Sequence, residues 1–291
     1  MKSEQVILFS DLDGTLLDHH TYTAAPALPC ISQLQQTHIP IVLNTSKTRA
    51  EIQLIQQQLN LDGPFIVENG AAVYIPKSSF PEQPADTQSL GLFWIKEFAA
   101  YKQHILNRLT QLASAFEGQY RGFSSLSSQQ VSAITGLSLQ QAQLAKQRQY
   151  GEPLQWLGDD KSRTEFIEQV RSQGIKVQYG GRFIHLSDHC DKGQALEWLA
   201  QQYQKTNPQK IIRTIALGDG GNDIAMLEAA DVAVIVRSPA HDYPALTRRD
   251  GIYRTQQLGP EGWAEAIQAL LLHSTANAPR LHIPAREVTH G

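Results

Sequence analysis

Short apolar runs separated by helical segments are the feature that most restricts the fold of this sequence. Five runs are strand candidates: Val6 to Phe9, Ile39 to Leu43, Phe65 to Val67, Ile211 to Leu217 and Val232 to Ile235. Apolar runs of this length without polar alternation are typical of strands that are buried on both faces. Because such strands are joined through helices in parallel sheets, the sequence predicts an α/β fold with a Rossmann-like parallel sheet as its core.

The character of the sequence changes between about residues 81 and 188. A stretch with two prolines, Pro81 to Pro84, leads into a long helical pattern from Phe93 to Phe116. Further strand candidates are Gln119 to Phe123, Leu154 to Leu157, Lys176 to Tyr179 and Arg182 to Leu186, and further helix candidates are Ser127 to Thr135, Leu139 to Gln149 and Arg163 to Gln173. This mixture predicts an inserted α+β cap domain. We therefore expect a core of residues 1–82 and 189–275, a cap of residues 83–188, and a loose tail over residues 276–291.

Composition and charge restrict the partners of this chain. Its 291 residues are 41% hydrophobic and carry a formal net charge of -3, which gives no electrostatic reason to expect nucleic acid or an anionic membrane as a partner. The first apolar run is too short for a signal-peptide core or a membrane span. Cys30 and Cys190 are too few for a disulfide framework. We therefore expect a cytoplasmic protein that acts on a small molecule, and its oligomeric state stays open.

Two carboxylates, Asp11 and Asp13, directly follow the first strand candidate. This places them at the carboxyl end of a central strand, where open α/β sheets bind their ligands. Two acids separated by one residue can divide phosphoryl transfer between them, one attacking phosphorus and the other moving protons. A lone Asp at this place would more often end the strand with an Asx turn. An EF-hand is excluded because Tyr22 stands where its final Glu belongs.

A second acidic loop, Gly218 to Asp223, repeats this arrangement after the strand candidate Ile211 to Leu217. A dinucleotide-binding loop fits poorly because Asp223 stands where its third glycine belongs. Taken alone, the loop is also consistent with a glycine-rich turn capped by aspartates. Together with the first pair, however, it provides hard oxygen ligands that suit Mg²⁺. The sequence therefore predicts Mg²⁺ as cofactor, with these candidate ligands: Asp11, Asp13, Asp219 and, in support, Asp223.

Clustered carboxylates need cationic and hydrogen-bonding partners in order to stay ionised together. Lys192 lies just before a helix and can hold a nucleophile and a phosphate as a point charge, although an isolated lysine is ordinarily a surface residue. Thr45 lies at the carboxyl end of a strand, where its hydroxyl and its backbone amide can donate to a phosphate. Its alternative role as a helix N-cap is better filled by Thr48, which forms a capping box with Glu51.

The order of these motifs resembles the haloacid dehalogenase superfamily, and the resemblance covers the whole predicted core. It implies an α/β phosphotransfer core in which the insertion between Thr45 and Lys192 is a type-2B cap that closes over the substrate. The implied roles are Asp11 as nucleophile, Asp13 as acid and base that reaches the metal through its carbonyl, Thr45 and Lys192 as phosphoryl contacts, Asp219 as metal ligand and Asp223 as its support.

Further segments resemble the mannosyl-3-phosphoglycerate phosphatases within that superfamily. They are Ser10 to Asp18, Ser46 to Thr48, Glu68 to Ala71, Lys146 to Pro153 and Gly180 to Phe183. Such a substrate needs cations for its glycerate carboxylate and polar groups for its sugar hydroxyls. The candidate substrate-binding residues are Lys47, Glu68, Asn69, Arg148, Arg182 and Asn222. Two departures concern the substrate: Gly220 replaces an expected Ser, and Ser124 to Leu126 lacks the acid usual there.

These observations predict a magnesium-dependent phosphatase that works through an aspartyl phosphate and hydrolyses mannosyl-3-phosphoglycerate or a related glycosyl-phosphoglycerate. A general sugar-phosphate phosphatase and a phosphomutase of the same superfamily are the alternatives. A non-catalytic regulator that binds a phosphorylated sugar is disfavoured by the intact acid pairs. A zinc site at His185, His189 and Cys190 is also disfavoured, because no predicted helix aligns these side chains.

Overall fold

A computed structural model describes residues 2–112, 114–180 and 183–272 of the chain. They form two compact units, one made of the chain up to residue 45, residues 56–96 and the chain from residue 191, the other of residues 46–55 and 97–190. Arg182 and the expected tail, residues 276–291, lie outside the described residues.

The strands are β1 (Ser3–Ser10), β2 (Ile41–Asn44), β3 (Phe65–Val67), β4 (Ala72–Pro76), β5 (Gln88–Leu90), β6 (Phe93–Glu97), β7 (Tyr120–Gly122), β8 (Glu152–Trp156), β9 (Lys176–Gly180), β10 (Phe183–Ser187), β11 (Lys210–Gly218), β12 (Val232–Arg237) and β13 (Ile252–Leu258). The α-helices are α1 (Leu28–Gln36), α2 (Arg49–Gln58), α3 (Gln103–Leu112), α4 (Ser128–Thr135), α5 (Leu139–Ala145), α6 (Asp160–Ser172), α7 (Lys192–Thr206), α8 (Ile224–Ala229) and α9 (Gly259–Ile267).

A nine-stranded sheet organises the first unit, with the described strands in the order β13, β12, β11, β1, β2, β3, β4, β6, β5. The pairings from β13 through β3 are parallel, and Leu8 on β1 lies between Ile215 and Ile41. Beyond β3 the sheet becomes mixed, because β3 pairs with β4 and β5 with β6 in the antiparallel sense. The apolar runs of β1, β3 and β12 are buried on both faces. The predicted α/β fold with a parallel core is confirmed.

The long helix predicted from Phe93 to Phe116 is wrong in its first part. Phe93 begins β6, and its ring lies edge-on to the rings of Phe65 and Tyr74 at centroid distances of 5.7 and 5.9 Å. Aromatic packing of this kind outweighs the weak helical preference of the local sequence. Strands β5 and β6 therefore belong to the sheet of the first unit, although the sequence placed the start of the insertion at residue 83.

The second unit contains a four-stranded antiparallel sheet in the order β7, β8, β10, β9. Helices α3 and α6 cover it through a cluster that includes Leu109, Phe166 and Val170. Capping boxes start two short helices: Ser127 with Gln130 begins α4, and Ser138 with Gln141 begins α5. These features agree with the α+β character predicted for the insertion.

The carboxyl ends of four neighbouring strands meet at one edge of the large sheet. Asp219 follows β11, Asp11 follows β1, Thr45 follows β2 and Glu68 follows β3. Helix α7 begins at Lys192, beside this edge. The side chain of Asn44, the last residue of β2, holds the start of the helix there by donating to the Lys192 carbonyl at 3.0 Å. Within the described ranges, no helix combines the length and apolar character that crossing a membrane requires.

Candidate active site

Lys192 joins two of the predicted acidic residues. Its Nζ atom lies 2.6 Å from Oδ1 of Asp11 and 2.6 Å from Oδ1 of Asp223, and its side chain is fully buried. The lysine is held there by the start of α7, where the Asp191 side chain caps the helix by accepting from the Gln194 amide. A lysine is usually exposed, whereas this ammonium is buried and contacts two carboxylates. Such a buried group is costly to the fold unless it is paired.

Asp223 is fixed by the glycine-rich loop in which it lies. Its Oδ2 accepts from the backbone amides of Asp219 and Gly220 at 3.1 and 2.9 Å, while its Oδ1 accepts from Lys192. Because both oxygens accept hydrogen bonds from inside the cluster, the position of the Asp223 carboxylate is fixed. Gly218 is required beside it, since a Cβ at that position would lie 2.5 Å from the Asp223 Cβ.

Asp219 is held by residues from two other loops. Thr15, after β1, donates its hydroxyl to Oδ1 of Asp219 at 3.2 Å, and His241, after β12, places Nε2 3.5 Å from Oδ2. Gly14 has a φ of +79° and lies directly against the same carboxylate, so that an added Cβ would stand 2.6 Å from Oδ2. The glycine therefore provides both the left-handed turn and the space for Asp219.

The negative charges of the carboxylates in this cluster repel one another. Burial, together with the charge of Asp223, raises the pKa of Asp11 from its usual 3.8 to about 7, although Lys192 acts in the opposite direction. Burial likewise raises the pKa of Asp219 and of Asp223. For Lys192, burial alone would lower the pKa, but Asp11 and Asp223 raise it above its ordinary value. The site holds more negative charge than one ammonium balances.

A divalent cation fits this excess of negative charge. Asp11, Asp219 and Asp223 each offer a carboxylate oxygen, and these atoms lie within 4.8 Å of one another. Three buried oxygen donors of this kind suit a hard cation. Asp13 is half-buried near the cluster, and its charge is among those that raise the pKa of Asp11.

The structure brings Thr45, Glu68, Asn69 and Asn222 to the same sheet edge. Thr45 is buried, and its amide donates to the Ile66 carbonyl at 3.2 Å; its contact with a phosphate stays a prediction. Glu68 and Asn69 both have left-handed backbone, with φ of +48° and +60°. The Asn69 amide donates to the Thr45 carbonyl at 2.9 Å, and its Oδ1 accepts from Nδ2 of Asn222 at 3.4 Å.

The other predicted substrate contacts belong to the second unit or are not described. Lys47 and Arg148 lie in the second unit, where Nη2 of Arg148 donates to the Ser46 carbonyl at 2.9 Å. Arg182 lies outside the described residues. In the same unit, Ser124 donates through its amide and its hydroxyl to the buried carboxylate of Glu152, at 2.8 and 2.7 Å. Ser124 stands in the segment that lacks the expected acid, and it contacts the carboxylate of Glu152 on β8.

Sequence reasoning did not single out Thr15 as an Asp219 partner, nor His241 or Trp263. Thr15 could have been predicted from the sequence, because it lies four residues after Asp11 in the same turn. His241 follows β12 without a recognisable pattern. Trp263 lies in α9, where its indole Nε1 donates to the hydroxyl of Ser10 at 3.0 Å. Only the fold brings His241 to Asp219 and Trp263 to Ser10.

A parallel α/β core with buried aspartates at the carboxyl ends of its strands is an arrangement that suits phosphoryl transfer. Residues 8–242 match the family of haloacid dehalogenase-like hydrolases. The chain belongs to this family, which confirms the superfamily predicted from the order of its motifs.

Two relatives named glucosyl-3-phosphoglycerate/mannosyl-3-phosphoglycerate phosphatase are similar to this chain over nearly their full length. The protein from Methanococcoides burtonii is 36% identical over 265 residues, and that from Persephonella marina is 33% identical over 267 residues. Each alignment covers 91% of this chain and 97% of the relative. The chain is therefore a phosphatase acting on phosphoric monoesters.

A solved structure supports the fold alone. A phosphatase of the same superfamily from Bacteroides thetaiotaomicron superposes with a TM-score of 0.61 at 19% identity, covering 91% of this chain and 94% of that chain.

Proposed function

We propose that this phosphatase is magnesium-dependent, works through an aspartyl phosphate on Asp11, and hydrolyses glucosyl- or mannosyl-3-phosphoglycerate to the glycosylglycerate and inorganic phosphate. The proposed mechanism is supported by the buried contacts of Lys192 with Asp11 and Asp223, next to Asp219. The similarity to glucosyl-3-phosphoglycerate/mannosyl-3-phosphoglycerate phosphatases supports the proposed substrate.

The proposed reaction has two steps. First, a carboxylate oxygen of Asp11 bonds to phosphorus, the bond from phosphorus to the ester oxygen breaks, and Asp13 gives its proton to that oxygen. Water then attacks phosphorus, Asp13 takes a proton from this water, and the bond from phosphorus to Asp11 breaks. Inorganic phosphate leaves and Asp11 is again a carboxylate. Lys192 and the hydroxyl of Thr45 are the proposed contacts of the phosphoryl oxygens.

Mg²⁺ held by Asp11, Asp219 and the carbonyl of Asp13 would offset the negative charge that gathers at phosphorus. Asp223 supports this site, since its two oxygens are engaged with Lys192 and with two amides. The excess of buried carboxylates over ammonium groups is what supports a cation here.

The substrate assignment requires recognition of a glycerate carboxylate and of sugar hydroxyls. Arg148, Arg182 and Lys47 are the proposed cations, and Glu68, Asn69 and Asn222 are the proposed polar contacts. The left-handed backbone at Glu68 and Asn69 supports a functional role, because such conformations are rarely kept by non-glycine residues without a reason. The proposed location is the cytoplasm, which the presence of only two cysteines supports, because secreted domains of this kind use more of them in disulfides.

A panel of phosphate esters tests the substrate. The purified protein with Mg²⁺ is assayed on glucosyl- and mannosyl-3-phosphoglycerate, hexose 6-phosphates and a flavin phosphate. We expect kcat/KM for the two phosphoglycerates to exceed the others by at least about 10²-fold, because a site built for polar groups rejects substrates that lack them. A wide preference for hexose or flavin phosphates would refute the substrate and leave the phosphatase chemistry standing.

The nucleophile is tested with Asp11→Asn. We expect turnover to fall by at least about 10⁴-fold, as loss of a covalent nucleophile does in other enzymes, while the circular dichroism spectrum stays that of the wild type. Asp62→Asn, at an exposed carboxylate of the same unit, is the matched control. Undiminished phosphate release by Asp11→Asn would refute the covalent mechanism. Labelled phosphoryl groups that return to substrate rather than water would instead indicate a phosphomutase.

A further inference from the structure

The backbone on both sides of Asp11 is held in place. Its amide donates to the Leu217 carbonyl on β11 at 2.9 Å. Its carbonyl accepts from the hydroxyl of Ser10 at 2.7 Å, and that hydroxyl in turn accepts from the indole N–H of Trp263 at 3.0 Å. Trp263 and Ser10 are fully buried. A tryptophan of the last described α-helix is therefore joined to the peptide of the proposed nucleophile through one hydroxyl group.

The direction of each hydrogen bond in this chain is determined by chemistry. An indole N–H can only donate, and a backbone carbonyl can only accept. The hydroxyl of Ser10 must therefore accept from Trp263 and donate to Asp11, and no other arrangement satisfies all three groups. Because hydrogen bonds in series polarise one another in a buried environment, the indole strengthens the hold of Ser10 on the carbonyl.

Holding this carbonyl orients a complete peptide group. The peptide between Asp11 and Leu12 is trans and planar, so its N–H points opposite to the carbonyl that Ser10 binds. The next carbonyl, that of Leu12, accepts from the amides of Thr15 and Leu17 at 3.1 and 2.8 Å. The backbone dihedral angles that aim the Asp11 side chain are thus restrained by β11 on one side and by Ser10 on the other.

Trp263 lies outside the part of the chain that matches the family, residues 8–242. Its placement comes from α9, which packs against β12 and β13. Close packing there depends on Gly262, where a Cβ would lie 2.6 Å from the Thr255 hydroxyl oxygen. The indole is therefore presented to Ser10 by a helix that the catalytic motifs do not include.

We infer that Trp263 is a positioning residue for catalysis, which acts through the Ser10 hydroxyl to hold the Asp11 peptide in the orientation needed for attack on phosphorus. This inference rests on the nucleophilic role proposed for Asp11. It does not depend on which phosphate ester is the substrate.

The test compares Trp263→Phe, Ser10→Ala and the double variant, assayed at saturating Mg²⁺ on the phosphate ester that the wild type turns over fastest. Each single variant is expected to lower kcat by about 10-fold with KM unchanged, since small misplacements of reacting groups cost up to about 10²-fold. The double variant is expected to resemble the singles, because both changes break one chain of hydrogen bonds. Trp94→Phe, on β6 in the same unit, is the control and should keep the wild-type kcat.

A second readout follows the hydrogen bond itself. In protein labelled with ¹⁵N-tryptophan, the indole signal of Trp263, assigned by its loss in Trp263→Phe, should shift and exchange faster with solvent in Ser10→Ala. Melting temperatures that fall while kcat stays at the wild-type value would overturn the inference and make the contact purely structural. Additive losses of kcat, or an indole signal unchanged in Ser10→Ala, would also overturn it. Activity retained by Asp11→Asn would instead refute the role of Asp11, whatever the tryptophan variants do.

Discussion

Nζ of Lys192 lies 2.6 Å from Oδ1 of Asp11, with both side chains removed from solvent. The two residues are 181 positions apart in the chain and meet because α7 begins beside the end of β1. The same ammonium contacts Asp223, so one buried cation serves two buried carboxylates. Removing it leaves both carboxylates without their main source of positive charge, and the consequences depend on pH.

Replacing Lys192 with Met is expected to lower the free energy of unfolding by about 3–5 kcal/mol at pH 8, the usual cost of breaking a buried ion pair. At pH 5.5 the loss should be smaller, because the carboxyl groups of Asp11 and Asp223, whose pKa values are raised by burial, take up protons. Urea unfolding of the magnesium-free protein at both pH values measures this. Lys205→Met, at the exposed end of the same helix, is the control; equal losses at both pH values would contradict the explanation.

The raised pKa of Asp11 predicts how pH changes the stability of the metal-free protein and the stabilisation by Mg²⁺. Between its usual 3.8 and about 7, the folded protein binds more protons than the unfolded chain. The contribution of this group to stability is therefore present at low pH and is lost as the pH rises through about 7. Mg²⁺ binds the ionised carboxylates, so the increase in melting temperature caused by Mg²⁺ should grow from pH 5.5 to pH 8. Melting curves with Mg²⁺ and with a chelator test this; an increase independent of pH would disprove the linkage.

Replacing Asp219 with Asn should separate metal binding from stability. The substitution removes one of several buried like charges, so the melting temperature without metal is expected to be equal to or above that of the wild type. The increase caused by Mg²⁺ should largely disappear, because a carboxylate ligand has been lost. Asp250→Asn, at an exposed position, should behave as the wild type. A clear loss of stability without metal would show that Asp219 is mainly structural.

Gly14 is expected to tolerate no side chain. An alanine there would adopt φ of +79°, which costs about 1–2 kcal/mol, and its Cβ would collide with the Asp219 carboxylate. We expect a loss of stability and a Mg²⁺ affinity reduced by about 10-fold or more, as when the surroundings of a ligand are disturbed. Isothermal titration with Mg²⁺ measures the affinity.

Two glycine variants separate these two effects. Gly136→Ala has a similar φ, +83°, with open space around the added Cβ, and should lose stability but keep the Mg²⁺ affinity. Gly221→Ala, in the second acidic loop, has neither a positive φ nor close neighbours and should lose neither. If Gly14→Ala bound Mg²⁺ as tightly as Gly136→Ala does, the contact of the added Cβ with Asp219 would have no effect on metal binding.

The sequence alone determined the parallel core and the edge at which its acidic residues gather. Apolar runs mark buried strands wherever they occur, and residues that follow parallel strands meet at one edge whatever the details of packing. For this reason the sequence places Asp11, Thr45 and Asp219 together, and it adds Lys192 as the cation that clustered carboxylates need. The presence of β6 was missed because Phe93 carries a helical spacing that aromatic packing on Phe65 and Tyr74 overrides.

Only the tertiary structure decided which atoms hold the site together. Both oxygens of Asp223 are engaged, the amide of Thr45 bonds to a neighbouring strand, and Trp263 reaches the Asp11 peptide through Ser10. Trp263 and Ser10 are 253 positions apart, and no local pattern records a contact between residues so distant. Spacing within a motif reflects the geometry of one turn, whereas contacts of this range depend on how separate helices and strands pack.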